Sequence, residues 1–381
     1  MDPTATTGPP HGDGDEAPDA LDSVRPARRR PGPDVVRAIA MLGVVVMNYH
    51  GYLVIRGADR DGGVVYDLFD PWTGPLSTRF ATLFVLTAGV GVALMTASSI
   101  GDAERTRAMR WRLVRRGLVL YGAGLAFDMI WAGTILPYYG AMFVLAAAMF
   151  TWRSRWLVVA GLIAAALGWA IRWWRLERTL DGHDTSWLTN PPPSSPRGLA
   201  LDVFVNGTHP LLPWLAFFCA GIVLGRVLST GWWRPATIGA GLAMFSIANI
   251  VGTAAAGSTD DRVRTLLSDD PFERGLVYVT STLGSALVAF AAISWLADRF
   301  EEAWLVDVLR RAGQLSLTIY LAHALVFNLL VDWLDVVSPG GIGTALAFAA
   351  IYWVIAIAGA VAYQRRYGRG PAERVYRSLT A

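Results

Sequence analysis

The sequence predicts an all-α integral membrane protein, a polytopic bundle of about ten transmembrane helices. Hydrophobic residues make up 54% of its 381 positions, and charged residues only 17%. Soluble domains carry about 25% charged residues because their surface must satisfy water, so this composition indicates a surface that contacts lipid. The hydrophobic runs are long and continuous rather than alternating, which favours helices over a β-barrel.

Ten apolar runs define the predicted helices, each close to the roughly 20 residues that cross a bilayer. They cover residues 35–53, 76–98, 115–135, 138–152, 155–174, 211–228, 235–256, 274–297, 312–333 and 341–363. Residues 1–33 are rich in Pro, Gly, Asp and Ala and predict a disordered cytoplasmic tail. Residues 34–365 form the predicted transmembrane domain, and residues 366–381 a basic cytoplasmic tail.

The distribution of arginine predicts the orientation in the bilayer. All 33 basic residues are arginines. When the loops alternate across ten helices, most of these arginines lie on the same side of the membrane as the N-terminus. Cytoplasmic loops carry the excess of basic residues, so both termini are expected in the cytoplasm. We therefore predict a multi-pass protein of the plasma membrane. Gly221 and Gly225 form a GxxxG pair in the sixth run, which predicts a close-packing helix face.

Several common chemistries have no support in the sequence. It contains no P-loop, no G-x-S-x-G and no H-E-x-x-H motif, and no Cys/His cluster, so no metal is expected. The single cysteine, Cys219, lies in an apolar run and is typical of a small buried hydrophobe. The arginines follow topology rather than one basic face, so nucleic-acid binding is not expected.

The first helix carries the most informative polar residues. Asp34 and Arg37 lie at its cytoplasmic end, and Asn48, Tyr49 and His50 at its outer end. A histidine there can act as a general base or nucleophile, although it can equally anchor the helix at the interface. Arg37 can bind a phosphate of a cytosolic donor, or it can snorkel to the surface beside Asp34.

Other ionisable groups lie within or beside the predicted spans. Asp128 in the third run and His323 in the ninth are placed near mid-membrane, where they are either functional or hydrogen-bonded between helices. His209 and neighbouring Trp214 lie at the outer end of the sixth helix, and Arg79 opens the second helix on the same side. We expect His209, Arg79 and His50 to face one outer chamber.

Several motifs resemble a group of membrane-bound acyltransferases: heparan-alpha-glucosaminide N-acetyltransferase and the bacterial DUF418 and DUF1624 families. The first helix opens on Asp34-Val-Val-Arg37-Ala-Ile-Ala, similar to D-x-x-R-G-I-A with Ala38 where glycine is usual. It closes on Val46-Met47-Asn48-Tyr49, which resembles V-N-Y, and Asp67-Leu-Phe-Asp-Pro71-Trp72 resembles D-L-V-F-P-W.

The resemblance continues to the C-terminus. The sixth helix begins with His209-Pro-Leu-Leu-Pro213-Trp214-Leu-Ala-Phe and continues to Gly225-Arg226, similar to the bacterial P-W-L-A-F-x-x-x-G-x-x-L-G-R. The closing helices and tail of DUF418 proteins are similar to Gln314-Leu-Ser-Leu-Thr-Ile-Tyr320 and to Tyr367-Gly-Arg-Gly370-Pro371. The matches together cover most of residues 34–377.

The resemblance implies transfer of an acetyl or other acyl group from cytosolic acyl-CoA across the membrane. The acceptor is expected on the far side, as a sugar, another cell-envelope glycan or a small molecule. Asn48 matches the asparagine of V-N-Y, and His50 takes the catalytic role by placement, because residues 58–65 lack the histidine of the animal enzyme's outer loop. The residues assigned to acyl-CoA binding are Arg37, Asp34, Arg115 and Arg116, with the arginines at the phosphates. Either Asn48 or Tyr49 is the expected oxyanion donor.

Two other interpretations stay open at this point. A proton-coupled transporter or exporter of a small or lipid-linked solute would use Asp128 and His323 as a proton relay. A non-catalytic membrane assembly or sensor protein would bind no CoA. The sequence is compatible with a homodimer and does not decide the oligomeric state.

Overall fold

The computed structural model describes residues 30–60, 62–192 and 195–380. The predicted disordered tail falls almost entirely on residues 1–29, which lie outside the described residues. The first helix begins at Gly32, and its opening turn contains Pro33 and the acidic residue Asp34. Proline suits this position because its missing N–H would have no intrahelical partner there.

The described part of the chain consists of helices joined by turns and loops, and it contains no strand. Its helices are α1 (Gly32–Ile55), α2 (Val64–Phe69), α3 (Arg79–Thr96), α4 (Ala103–Asp128), α5 (Leu136–Met149), α6 (Ser154–Leu180), α7 (Ser186–Thr189), α8 (Pro196–Leu201), α9 (Leu211–Val227), α10 (Trp233–Ala256), α11 (Asp261–Leu266), α12 (Leu276–Arg299), α13 (Trp304–Gln314), α14 (Ser316–Phe327), α15 (Ile342–Tyr367) and α16 (Pro371–Thr380). Short π-helical segments extend α8 over Asp202–Asn206 and α14 over Asn328–Trp333. The predicted all-α class is confirmed.

Seven helices in this part are long and apolar enough to cross a membrane, namely α1, α3, α6, α10, α12, α14 with its π-helical extension, and α15. The segments Pro196–Asn206 and Leu211–Val227, bent by 57°, make an eighth candidate if they form one span. The remaining two of the ten predicted spans lack a qualifying helix. The first half of α4 is rich in arginine, and α5 has only 14 residues.

Helix α1 lies at the centre of the bundle and contacts α3, α12, α13, α14 and α15. Helices α6 and α10 lie at the periphery and leave large apolar side chains exposed, for example Leu162, Ile163, Ile247 and Ile250. Apolar surface on this scale is costly in water and is normal for a face that contacts lipid. Polar groups that face inward from α1 are therefore shielded from both lipid and bulk water.

Helices α3 and α9 approach closely along a glycine face. A Cβ atom on Gly221 would overlap the carbonyl oxygen of Leu86, and one on Gly225 would lie 2.7 Å from the Cβ of Ala93. The close-packing face predicted from the GxxxG pair is therefore confirmed. This contact holds α9 against α3. His209 lies just before α9, and α3 begins next to the cavity described below.

Replacing Gly221 by Val is expected to lower the thermal unfolding temperature of the purified protein. Overpacking a close helix contact costs about 1–3 kcal/mol, and more where the opposing atom is backbone. Gly239→Val is the matched control, because nothing lies within 4 Å of a Cβ at Gly239 on α10. Equal unfolding temperatures for the two variants would contradict the packing argument.

The predicted basic tail contains α16, which packs against α4 and α14. Glu373 accepts hydrogen bonds from the backbone N–H groups of Leu317, at 2.8 Å, and Thr318, at 3.1 Å. These donors lie in the first turn of α14, so Glu373 caps that helix from outside. Burial raises the pKa of Tyr376, which keeps its hydroxyl protonated while it donates to the carbonyl of Arg116. The C-terminal helix thus fixes α14, which carries two residues of the candidate site.

Candidate active site

A cavity of about 660 Å³ lies at the end of the bundle where α1 finishes and α3, α5, α9 and α12 begin. We call this end of the bundle the cavity end. Its lining residues are Val44, Met47, Asn48, Gly51, Tyr52, Ile55, Arg56, Pro71, Trp72, Thr78, Phe80, Ala81, Phe84, Ala132, Gly133, Ile135, Thr208, His209, Phe272 and Tyr320. The volume suits a small organic ligand, and a few polar groups among aromatic walls are typical of such sites.

Asn48 lines the cavity and is held from behind by His323 on α14. The Nδ2 atom of Asn48 lies 3.1 Å from Nε2 of His323, and Nδ1 of His323 hydrogen-bonds the carbonyl oxygen of Tyr320. A carbonyl oxygen only accepts, so Nδ1 carries the imidazole proton and Nε2 accepts from the Asn48 amide. The second N–H of Nδ2 and the side-chain oxygen Oδ1 of Asn48 remain for a ligand in the cavity.

The backbone of His323 is fixed as well. The hydroxyl of Tyr49 donates to the carbonyl oxygen of His323 at 3.0 Å, and the Tyr49 ring stacks on Phe348 at 4.3 Å. Tyr49 is completely buried and does not line the cavity. It therefore supports α14 in this structure and does not face the cavity as the predicted oxyanion donor would.

His209 lines the same cavity as Asn48, just before α9. Its Nδ1 atom lies 3.0 Å from the hydroxyl oxygen of Thr208, and that hydroxyl donates to the carbonyl oxygen of Gly133 at 3.2 Å. Because the single hydroxyl proton is used on Gly133, Nδ1 of His209 must be the donor to Thr208. Nε2 is then the unprotonated nitrogen, which is the form that a general base requires.

Two neighbours fix the segment that carries His209. The ring of buried Trp214 lies 4.5 Å from the imidazole in an edge-to-face arrangement. The hydroxyl of Tyr138 accepts from the backbone N–H of Thr208 at 3.1 Å and donates to Asp202 at 2.9 Å. The predicted candidates His209 and Trp214 are thus brought together, with Trp214 as a packing partner outside the lining.

The expectation that His50 and Arg79 share this chamber is wrong. His50 is buried, its Nδ1 lies 2.8 Å from the carbonyl oxygen of Phe69, and its ring meets Tyr66 of α2. Arg79 donates to the Ser281 carbonyl at 3.1 Å and to the Ser285 hydroxyl at 2.8 Å. Neither residue lines the cavity. His50 fastens α2 to α1, and Arg79 fastens α3 to α12.

Asp128 lies at the end of its helix and not in the middle of the span predicted over residues 115–135. Helix α4 ends at Asp128, whose carboxylate is exposed and accepts from the backbone N–H of Gly133 at 2.8 Å. His323 bonds to Asn48 and Tyr320 instead. The carboxylate therefore closes the turn after α4, and no hydrogen bond of the described residues joins the two groups of the proposed proton relay.

At the opposite end of α1, Arg37 belongs to a polar network between helices. Its Nη1 atom lies 3.1 Å from Oδ1 of Asp34 and 3.5 Å from the carbonyl oxygen of Gly313. Oδ2 of Asp34 accepts from Gln314 at 3.1 Å, and Gln314 accepts from Gln364 at 2.8 Å. Asp34 is buried, whereas the Arg37 side chain is 21% exposed. The paired carboxylate holds a partly accessible guanidinium in place.

The network continues on α13. Arg311 donates to Gln364 at 3.2 Å and to Asp307 at 2.7 Å. The guanidiniums of Arg311 and Arg310 hold the pKa of the Asp307 carboxyl below its usual value, so it stays ionised at neutral pH. This end of the bundle therefore presents arginines held by fixed carboxylates. We call it the arginine end.

Arg115 and Arg116 lie elsewhere on this end. Arg115 is exposed on α4, and Arg116 packs its guanidinium on the sulfur of Met95, at 2.6 Å, and over the ring of Tyr376. The contacts of Arg116 are different from those of Arg37. The predicted phosphate-binding set is thus divided between the Asp34–Arg37 network and the surface of α4.

One face of α1 joins the two ends. Arg37, Met41, Val44 and Asn48 follow the alternating spacing of four and three residues that places side chains on one side of a helix. Asn48 lies eleven residues after Arg37, roughly 16 Å along the axis. Val44 forms part of the cavity wall, and Met41 between it and Arg37 is fully buried. The cavity is therefore separated from Arg37 by about two helical turns.

Sequence reasoning missed Thr208 and Tyr320. Thr208 directly precedes His209, so a hydroxyl beside a candidate base was visible in the sequence. Tyr320 is three residues before His323 on the same helix face, and its hydroxyl accepts from the backbone N–H of Ile135 at 3.1 Å. Both signals depend on knowing which helix faces meet.

Comparison with protein families gives two matches that together cover most of the chain. Residues 29–256 match the model described as heparan-alpha-glucosaminide N-acetyltransferase, catalytic. Residues 225–381 match DUF418, described as a protein of unknown function. No curated protein matches the chain. The first match includes Asn48 and His209 and the second includes His323, so the paired residues come from both. The match to the acetyltransferase model covers more than half of the chain, which therefore belongs to the heparan-alpha-glucosaminide N-acetyltransferase catalytic-domain family.

Proposed function

We propose that this protein is a transmembrane acyltransferase, which moves an acetyl or other acyl group from cytosolic acyl-CoA to an acceptor outside the cytoplasm. The observation that carries the proposal is the single face of α1 between Arg37 and Asn48, with His209 in the same cavity as Asn48. A cation that can hold a donor phosphate thus lies at one end of α1. A polar pair that can perform acyl transfer, Asn48 on α1 and His209 just before α9, lies at the other end.

The arginine end is the proposed donor side and faces the cytoplasm. Arg37 is partly exposed and charge-paired, so it can offer N–H groups to a CoA phosphate without leaving Asp34 unpaired. The pantetheine arm would follow α1 past Met41 to bring the thioester into the cavity. Methionine suits this position because its unbranched side chain adapts to a passing ligand. The proposal includes a location in the plasma membrane with both termini in the cytoplasm.

The reaction assigned to the cavity is a direct acyl transfer. Nε2 of His209 takes the proton of the acceptor hydroxyl or amine as its oxygen or nitrogen attacks the thioester carbonyl carbon. The free N–H of Asn48 donates to the oxyanion of the tetrahedral intermediate. The carbon–sulfur bond then breaks, and the proton on His209 passes to the departing thiolate, giving the acylated acceptor and CoA. Burial in the bundle limits attack on the thioester by water.

Acetyl-CoA is expected to raise the thermal unfolding temperature of the protein in lipid nanodiscs. A ligand at 100 times its Kd stabilises the folded state by about 2.7 kcal/mol, and desulfo-CoA should act similarly because it keeps the phosphates. Arg37→Gln should abolish most of this shift, and Asp34→Asn/Arg37→Gln should do so without removing a cation from beside a buried carboxylate.

Arg115→Gln and Arg116→Gln separate the two groups of arginines in the same assay. A shift that survives Arg37→Gln and is lost in either of these variants would move the phosphate site to α4. No shift by either CoA compound at millimolar concentration would refute the donor assignment.

A further inference from the structure

We infer that the cavity accepts a neutral acceptor with an aromatic or other apolar ring, and that it disfavours a cationic amino sugar. The inference rests on the proposed function, because it names the acceptor of that reaction. Its basis is the charge and the surface of the cavity wall. The family is named for a glucosaminide, so the inference concerns a property in which this chain would differ from that name.

No carboxylate lines the cavity among the residues that the structure describes. The carboxylates that contact residues of the lining are engaged. Asp70 accepts from the backbone N–H groups of Trp72, at 2.8 Å, and Thr73, at 2.7 Å. Asp332 forms a two-bond pair with Arg56, in which Nη2 and Oδ2 lie 2.7 Å apart, and Asp128 accepts from the Gly133 backbone. An ammonium group that entered would lose its water without gaining an ionised partner, which is unfavourable.

Arg56 is the cation of the lining, and three of its five N–H groups are already used. Nε and Nη2 go to Asp332, and Nη1 donates to the carbonyl oxygen of Tyr52 at 3.1 Å. Its guanidinium also lies 4.9 Å from the ring centroid of Phe327. The charge of Arg56 is therefore paired with Asp332, and it adds to the cost of bringing a second cation nearby.

Aromatic rings dominate the remaining wall. Tyr52, Trp72, Phe80, Phe84, Phe272 and Tyr320 all line the cavity. Flat rings bury a large apolar area and favour offset or edge-to-face contact with another ring. The uncharged side-chain amide of Asn48, which keeps one N–H and its oxygen for a ligand, suits a hydroxyl. The wall thus combines hydroxyl recognition with an apolar ring site.

Four acceptor probes test the inference in nanodiscs free of sugar detergents. They are phenyl β-D-glucopyranoside, methyl β-D-glucopyranoside and the 2-amino-2-deoxy analogue of each. Binding is measured by titration calorimetry without acetyl-CoA, and turnover by release of the CoA thiol. At pH 7 we expect the phenyl glucoside to bind about tenfold more tightly than both its methyl and its amino counterparts.

Met47→Glu places a carboxylate in the cavity wall, and Met47→Gln is its uncharged control. The glutamate variant should reverse the penalty on the amino probes, and the glutamine variant should not. If the glutamate variant does not fold, the order of the probes on the wild-type protein decides the proposal. Equal or tighter binding of the amino probes there, or no binding of the phenyl glucoside at millimolar concentration, would overturn it.

The two readouts separate this inference from the proposed function. Binding in the expected order without thiol release would refute acyl transfer to these acceptors and leave the ligand class in place. Thiol release that depends on the amino probes and not on the glucosides would support acyl transfer and refute the neutral acceptor.

Discussion

His209→Ala is expected to lower the turnover number for acyl transfer by about 10²- to 10⁴-fold, the usual contribution of a general base. The reason is geometric, because His209 lines the cavity and Thr208 holds it with Nε2 unprotonated. The measurement is acceptor-dependent release of CoA by the variant at saturating acetyl-CoA. An unchanged acetyl-CoA thermal shift would show that the donor site remains intact.

Two further variants make this result specific. His50→Gln should leave turnover within a few-fold of wild type, because His50 contacts Phe69 and Tyr66 and does not line the cavity. Thr208→Val removes the acceptor for Nδ1 of His209 and should lower turnover while leaving the KM for acetyl-CoA unchanged. If instead His50→Gln abolished turnover and His209→Ala did not, His50 would replace His209 as the assigned general base.

The helices were largely predictable because an apolar run of about 20 residues is typical of a membrane-crossing helix and of few other elements. The number of membrane spans was less predictable. Residues 115–135 resemble one span, yet α4 starts at Ala103 with a segment rich in arginine and ends at Asp128. The run at 312–333 contains two helices, α13 and α14, because the chain turns at Leu315. Hydropathy averages over a window and does not locate such breaks.

The expectation that His50 shares a chamber with His209 failed for a reason that the sequence itself contains. Asn48 and His50 are two residues apart, so on a helix of 3.6 residues per turn their side chains point about 200° apart. A catalytic pair from one helix therefore needs a spacing of three or four residues, which Arg37, Met41, Val44 and Asn48 show. Asn48 lines the cavity, but the histidine that it contacts comes from α14, more than 270 residues later.

The long-range pair of Asn48 and His323 is expected to act as one unit in catalysis. Asn48→Ala should lower turnover by about 10²- to 10³-fold, the range seen when an oxyanion donor is removed. His323→Leu should cause most of the same loss without touching the acceptor, because it frees the Asn48 amide to rotate. The double variant should then be little slower than Asn48→Ala alone, since the losses from two residues that act together are not additive.

Rescue and stability distinguish positioning from simple support of the fold. His323→Gln offers an amide oxygen to Asn48 and should recover part of the turnover lost in His323→Leu, with the KM for acetyl-CoA unchanged in both. The unfolding temperatures of the two variants should be similar, because both fill the buried site between Tyr49 and Trp131 without a charge. Additive losses in the double variant, or equal turnover of the leucine and glutamine variants, would mean that His323 supports the helix packing and does not orient Asn48.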